Sequence, residues 1–225
     1  MAPVVRPDDA VVGELASAYD RRDPDRSIAA AAELIGACRV DDLDAWWHPL
    51  GFFRFDLALD SNGCRYTMHC WPPGIRATQN PAWTIHRHVW ELESLIVEGG
   101  LRDTQFVSND AADDRCTGVV YLAGSAPGRV SLLERTERRI GLAPDVDDFR
   151  RAGQFYNVSL SSFHESLVHP DGACLTLVRI GPRLRSRSEV VGEEHAPAAL
   201  RYLHEPVDKG LLLDGLAMAG LHPRG

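Results

Sequence analysis

Residues 83–100 read WTIHRHVWELESLIVEGG, and this stretch predicts a strand that carries a metal site. Successive side chains of a strand point to opposite faces, so His86 and His88 share one face. Two imidazoles on one face can bind the same ion. For a single histidine, an ordinary hydrogen-bonded core residue is the simpler interpretation, so the metal hypothesis needs further ligands.

Two more residues are candidate ligands of the same ion. Glu93 follows His88 by five residues, and a tight turn over 89–91 would bring its carboxylate back to the imidazoles. Glu91 takes this role if the turn is one residue tighter. Far downstream, His164 in SSFHESLVH supplies a ligand from another strand. The sequence therefore predicts His86, His88, Glu93 and His164 as the metal ligands.

Short strand-like runs separated by Gly, Pro and Asn extend on both sides of this stretch. Phe53, Phe55, Leu57 and Leu59 alternate with more polar residues before the turn sequence Asp-Ser-Asn-Gly. Many short strands of this kind indicate an antiparallel sandwich or barrel. The predicted strands cover residues 53–59, 65–71, 83–88, 92–97, 101–107, 118–122, 130–134, 155–158, 162–168 and 174–180.

Helical patterns occupy the two ends of the chain. Residues 8–20 and 26–37 predict two helices, and 41–47 a short third. After residue 190, AALRYL behind Pro197 and the final LLLDGLAMAGL predict further helices, the last able to cover one end of the barrel. We expect an N-terminal helical extension over 1–50, a β-barrel over 51–190 and a C-terminal helical extension over 191–225.

Composition excludes several classes of protein. The 225 residues carry 24 basic against 32 acidic side chains, a net charge of −8, which disfavours nucleic acid as a partner. No apolar stretch approaches the ~20 residues that span a bilayer, and no leader pattern opens the chain, so we expect no membrane contact and a cytoplasmic location. Five cysteines without CxxC spacing predict buried, reduced thiols.

The histidine pattern resembles the two motifs of the cupin superfamily. In the first motif, His-x-His, a glutamate and a glycine recur at fixed spacing, and His86, His88, Glu93 and Gly100 fit it, with Asn80 in place of the leading glycine. In the second motif, Gly153 and His164 fit. Three positions of that motif differ in this chain: Ser159, Ser161 and Val168. The resemblance covers roughly residues 51–182.

The resemblance implies an all-β fold, a cupin-type antiparallel β-barrel of the jelly-roll-like double-stranded β-helix kind. It also implies one divalent metal ion, with Fe(II) as the first choice and Ni(II) next; Mn, Cu and Zn suit the same ligands. Four protein ligands on a six-coordinate ion leave two adjacent positions open for dioxygen and a small substrate.

Among cupins, the functional resemblance is to the thiol dioxygenases, such as cysteine dioxygenase. That resemblance implies a metal-dependent oxygenase acting on a small polar metabolite, with cysteine or a related amino thiol as the first substrate class. An arginine binds the substrate carboxylate in that group, and spacing does not separate Arg54, Arg65 and Arg76. Glu93 departs from the pattern: beside a thiolate at 4 Å it adds about 4 kcal/mol of repulsion, unless it serves as a base.

Strand parity suggests further residues near the ion. Arg65 and His69 share a face, Ser166 shares the face of His164, and Tyr156 can present a hydroxyl. We therefore predict catalytic roles for Glu93, Tyr156 and Arg65. The predicted substrate-binding residues are Arg54, Arg65, Arg76, His69 and Ser166.

Two other functions remain open at this stage. A cupin isomerase or lyase uses the metal as a Lewis acid without oxygen. A cupin binding module senses a ligand and engages a partner through added helices. Cupins are often dimers, so a homodimer is also possible, although the sequence identifies no interface.

Overall fold

The computed structural model describes residues 8–110, 117–126 and 129–224. A single turn of 3₁₀ helix, Val40–Asp42, follows the second helix. The elements in chain order are α1 (Asp9–Asp20), α2 (Pro24–Ala37), β1 (Trp46–Trp47), β2 (Phe53–Leu59), β3 (Arg65–Trp71), β4 (His86–Arg87), β5 (Leu92–Asp110), β6 (Gly118–Ala126), β7 (Val130–Arg151), β8 (Phe155–Val158), β9 (Phe163–Leu167), β10 (Cys174–Ile180), β11 (Ser188–Gly192), β12 (Ala199–Leu203) and α3 (Lys209–Ala217).

The long strand β5 belongs to two antiparallel sheets. Its first half pairs with β10 and β8, and β10 continues through β3 and β2 to β1. Its second half pairs with β9 and β7. From β9 the pairing runs through β4, β11 and β6 to β7, which returns to β5, so this part closes on itself. The predicted fold class is confirmed as far as an antiparallel β fold with helices at both ends.

Gly99 marks the point where β5 passes from one sheet to the other. Its φ is +73°, a conformation that side chains other than glycine rarely adopt. A Cβ atom here would lie 2.0 Å from the carbonyl oxygen of Ala173. The chain can bend closely past the start of β10 only because residue 99 has no side chain.

The first sheet carries apolar side chains on both of its faces. The helices cover its outer face, where Leu15, Leu34 and Leu216 pack in one buried cluster with Phe53 and Leu95. A second buried cluster lies on the inner face; it includes Phe52, Trp71, Ile96, Leu101, Tyr156 and Val178. The outer cluster fixes the helices, and the inner cluster fills part of the barrel.

Most predicted elements are present, with some corrections. The two runs at 92–97 and 101–107 form one strand, and the short third helix is replaced by the 3₁₀ turn and β1. AALRYL is β12 rather than a helix: its side chains alternate, and buried Tyr202 donates a hydrogen bond to the carbonyl of Pro81. Helix α3 packs on the outer sheet face, where Gly215 lies against Phe53 and Cys70, so it does not cover an end of the barrel.

Two expectations from the sequence concern the state of the cysteines and the presence of membrane-spanning segments. Cys38, Cys64, Cys70 and Cys174 are free thiols, and burial raises the pKa of Cys70 to about 12. Cys116 lies outside the described residues. Among the helices of the described ranges, none is long and apolar enough to cross a membrane.

Replacing Gly99 with alanine should lower the free energy of unfolding by about 3 kcal/mol or more, because the positive φ costs about 1–2 kcal/mol and the overlap with Ala173 adds to it. Urea unfolding measures the change. Gly63→Ala is the matched control: φ is +79° but space is open, so a loss of about 1 kcal/mol is expected. Equal losses in the two variants would contradict the proposed overlap.

Candidate metal centre

His86, His88 and His164 form one group inside the barrel. Each offers one ring nitrogen, and the three nitrogens lie within 4.8 Å of one another. The Nε2 atoms of His88 and His164 are 3.0 Å apart. Ring centroids are separated by 4.4 Å for His86 and His164 and by 4.7 Å for His86 and His88. The sequence prediction that these three histidines meet is therefore matched by the geometry.

Strand pairing brings the distant histidines together. His86 on β4 lies directly opposite His164 on β9, at the one paired position between these two strands. Side chains opposite each other in an antiparallel pair point to the same face, so both imidazoles enter the barrel. His88 lies two residues further along and points the same way. The three imidazoles therefore converge because one residue pair joins β4 to β9 and because the chain continues from β4 to His88.

A hydrogen bond fixes the orientation of the His86 ring. Its Nδ1–H donates to the carbonyl oxygen of Thr84 over 2.7 Å, which leaves Nε2 free as a ligand. The hydroxyl of Thr84 in turn donates to Glu165 over 2.6 Å. Glu165 adjoins His164 in sequence, so this bond ties the two ligand-bearing segments. His164 differs, because its Nδ1 is buried without a hydrogen-bond partner among the described residues.

The three imidazoles are held in the neutral form that binds metals. Burial lowers the pKa of all three histidines, and this is the largest cause in each case. Mutual repulsion with His86 lowers the pKa of His88 and His164 further. Neutral rings present lone pairs to an ion and need not lose protons on binding.

These residues fit a divalent transition metal. Imidazole nitrogens suit iron, nickel, copper and zinc, in line with the predicted cofactor. Two nitrogens about 2.1 Å from one ion and at a right angle stand about 3 Å apart, close to the 3.0 Å between His88 and His164. His86, His88 and His164 are the residues that would hold the ion.

Glu93, predicted as the fourth ligand, lies elsewhere. Its two carboxylate oxygens pair with Arg179 at 2.6 Å and with Arg22 at 3.2 Å. It alternates along β5 with Ser94, which is fully buried, and faces the helices where Arg179 also bonds Asp20. Because adjacent side chains of a strand point to opposite faces, Glu93 points out of the barrel. Glu91 is exposed, and the described residues add no carboxylate to the histidine group.

A row of polar side chains crosses the inner face of the first sheet. Arg54 on β2 lies opposite His69 on β3, which lies opposite Thr176 on β10. Nε2 of His69 and Oγ1 of Thr176 are buried without hydrogen-bond partners among the described residues. Burial lowers the pKa of Arg54, and burial followed by Arg54 lowers the pKa of His69 to about 3. This polar row is near the histidines, because both Arg54 and His69 also lower the pKa of His88.

The other two predicted arginines are engaged elsewhere. Arg76 donates to the carbonyl oxygens of Pro72 and Ile75 and to those of His169 and Gly172, so it clamps two loops and is not free for a substrate. The Nε of Arg65 is 3.7 Å from Asp56, and its guanidinium lies 5.7 Å from the ring centre of Trp90. Among the three arginines, only Arg54 makes no hydrogen bond or ion pair within the described residues.

Tyr156 and Ser166, also predicted near the site, share the barrel interior. Burial raises the pKa of Tyr156 to about 12, with the hydroxyls of Ser94 and Ser166 lowering it in part. Ser166 is two residues from His164 on β9 and half-buried. Ser166 therefore lies on the same strand face as His164, and Tyr156 reaches the Ser166 hydroxyl, while the roles of both residues in a reaction stay predictions.

Sequence reasoning missed His48 and His204. The ring of His48 stacks on that of Phe52 with centroids 4.4 Å apart, and burial followed by Arg54 and His86 lowers the pKa of His48. The ring centroids of His204 and His48 are 6.1 Å apart, and Nε2 of His204 is 2.7 Å from the Ser131 hydroxyl. Neither stands in a motif, so no sequence signal marked them. His169, by contrast, is exposed.

Comparison with known proteins adds little to this geometry. No family model matches the chain, and no curated protein matches it. Among solved structures, a chain from crystal structures of DMSP lyases aligns over 80% of this chain and 96% of its own length, with 14% identity and a TM-score of 0.37. A likeness at this level carries no argument about either fold or activity.

Replacing His86 or His164 with alanine should remove most of the bound metal, because each imidazole contributes directly to the affinity. Elemental analysis of the purified protein gives the metal content per chain. His169→Ala is the control, since 76% of that side chain is exposed and it lies outside the group. A full metal complement in both site variants would rule out these ligands.

Removing the Thr84 hydroxyl should loosen the site without touching a ligand. We expect Thr84→Val to weaken metal affinity about tenfold, since it breaks the bond to Glu165 that ties the two ligand segments. Competition with a chelator measures the affinity. Thr84→Ser keeps the hydroxyl and should keep the affinity, so equal weakening in both variants would contradict a role for this bond.

Proposed function

We propose that the chain is a metal-dependent enzyme of the cupin type that acts on a small molecule bearing a carboxylate. Oxidation of an amino thiol by dioxygen is the first reaction to consider. The observation that carries this proposal is Arg54, a half-buried cation that forms no ion pair among the described residues and acts electrostatically on His88, one of the three neutral metal-binding histidines.

Arg54 sets the charge of the site. No carboxylate lies within ion-pair distance of it among the described residues, and Asp56, which acts on it from further away, is paired with Arg65. Arg54 also lowers the pKa of His48 and His204, so the neighbouring rings are neutral. A partly desolvated guanidinium among neutral groups favours an anion, and its planar fork matches a carboxylate.

The unpartnered groups beside Arg54 extend this binding surface. Nε2 of His69 and the Thr176 hydroxyl need hydrogen-bond partners, because a buried polar atom left unpaired costs about 1–3 kcal/mol. Both lie in the same cross-strand row as Arg54. A bound carboxylate or water would satisfy them, so the row can orient one end of a substrate towards the histidines.

The position of Glu93 favours a thiol. A carboxylate ligand would repel a thiolate at 4 Å by about 4 kcal/mol. Glu93 instead pairs with Arg179 and Arg22. The metal-binding group is thus three neutral imidazoles, a set that leaves the charge of a divalent ion available to a thiolate.

In the proposed reaction a thiol R–SH and dioxygen give a sulfinic acid R–SO₂H, with both oxygen atoms transferred to sulfur and no further reductant. The metal would supply the redox chemistry and bind sulfur. Arg54 holds the carboxylate, and the protonated Tyr156 can donate a hydrogen bond. Phe52, Trp71 and Trp90 exclude water: Trp90 stacks on His88 at 5.8 Å.

The deciding experiment is oxygen uptake by protein reconstituted with Fe(II), and in parallel with Ni(II), Mn(II) or Zn(II). We expect uptake with L-cysteine or a related thiol and formation of the sulfinate, checked by mass spectrometry. Turnover without oxygen would favour the lyase or isomerase class. Tight binding of a thiol without any turnover would favour a sensing module. Either of these outcomes would overturn the oxygenase proposal.

Variants of Arg54 test the substrate class in the same assay. Arg54→Gln should raise KM for L-cysteine about tenfold or more and leave KM for 2-aminoethanethiol, which lacks a carboxylate, nearly unchanged. Arg201→Gln on the exposed side of β12 is the control. An equal rise in KM for both thiols would show that Arg54 does not bind the substrate carboxylate.

A further inference from the structure

Asp103 is an acid inside the barrel that the proposed reaction has not used. It lies on β5 with no exposed surface, and it is the one acidic residue among the buried polar side chains of the described ranges. Burial is the main cause that raises its pKa. An ionised carboxylate in such a place costs several kcal/mol unless hydrogen bonds and a cation compensate it.

The protein compensates Asp103 only in part. Its Oδ2 is 3.2 Å from Nε2 of Gln105 and 3.5 Å from Nη2 of Arg150, both long contacts. Arg150 is closer to Asp148, at 2.9 Å. The other oxygen of Asp103, Oδ1, is buried without a hydrogen-bond partner among the described residues. One strong acceptor is therefore left for a donor from outside the chain.

Two hydroxyl-bearing residues lie near Asp103. Ser166 on β9 lies directly opposite Asp103, and the charge of Asp103 helps to raise the pKa of Tyr156. Ser94 lies opposite Tyr156, and its hydroxyl is one of the two that lower the pKa of Tyr156 in part. We call Ser94, Asp103, Tyr156 and Ser166 the acidic subsite.

The acidic subsite is within the reach of a small molecule bound at the histidines. Gln105 lies directly opposite His164, and Asp103 is two residues further along β5. Two residues of strand span about 7 Å. Half-buried Ser166, two residues from His164, lines the way between them.

The barrel interior therefore has one place suited to an anion and another suited to a cation. Within the described residues, Arg54 on the first sheet forms no ion pair, and Oδ1 of Asp103 on the second sheet has no donor. A ligand with a carboxylate and no cationic group would pair with Arg54 and leave Asp103 without a further donor. Building on the proposed function, we propose that the acidic subsite binds the ammonium group of a zwitterionic substrate, so that the enzyme takes amino acids rather than simple acids.

A matched pair of thiols tests the subsite. L-cysteine and 3-mercaptopropionate share the thiol and the carboxylate, and only the former has an amine. Their dissociation constants are measured without oxygen on protein loaded with Co(II), from the absorption of the metal. We expect L-cysteine to bind about tenfold tighter, and Asp103→Asn to abolish most of this preference while 3-mercaptopropionate binds as before.

Two further variants separate binding from folding. Asp148→Asn removes the exposed acid on the other side of Arg150 and should keep the preference. If Asp103→Asn does not fold, Ser166→Ala should lower the preference about threefold, and an unchanged ratio there would overturn the subsite. Equal affinity of the two thiols for the unmodified protein would overturn the subsite alone. Failure of both thiols to bind would overturn the proposed function and the subsite together.

Discussion

The pairing of His86 with His164 joins β4 to β9, and both the closure of the barrel and the metal centre depend on it. Strand β4 has only two residues, so contacts on its outer side have to hold it. Arg87 bonds Glu189 on β11 at 2.6 Å and lies 4.8 Å from the ring centre of Phe163. The inner side of the same two-residue strand presents the imidazole. Weakening the outer contacts would therefore loosen the site and the closure at once.

Strand parity explains why the histidines could be predicted and Glu93 could not. His86, His88 and His164 need only local alternation and one cross-strand contact. Glu93 lies on a strand whose two faces are both covered, with Leu92, Leu95, Ile96 and Val97 all buried. Without a solvent face the period-two pattern disappears, so the sequence does not tell which side faces the barrel. The helices packed on the first sheet decide which side of β5 faces the barrel, and the turn between α1 and α2 supplies Arg22 to pair with Glu93.

The arginines show a second limit of sequence reasoning. The three candidate arginines, Arg54, Arg65 and Arg76, lie before the first histidine motif, and their spacing in the sequence does not distinguish them. Arg76 is distinguished by carbonyl groups of residues 169 and 172, which lie 93 and 96 positions away. Arg54 is distinguished by the absence of such partners in the described chain. AALRYL is a similar case: its composition suits a helix, but pairing with β7 and the bond from Tyr202 to Pro81 make it a strand.

The helical extensions allow the barrel interior to be polar. The buried cluster between the helices and the outer face of the first sheet contains most of the large apolar side chains of α1, α2, β2 and β3. Because burial of apolar area is the main source of stability, that cluster can offset the cost of unpaired groups inside the barrel. The half-buried Arg54 and the unpartnered atoms His69 Nε2, Thr176 Oγ1 and Asp103 Oδ1 are then tolerated. A barrel stabilised from outside in this way can keep its interior for a charged ligand.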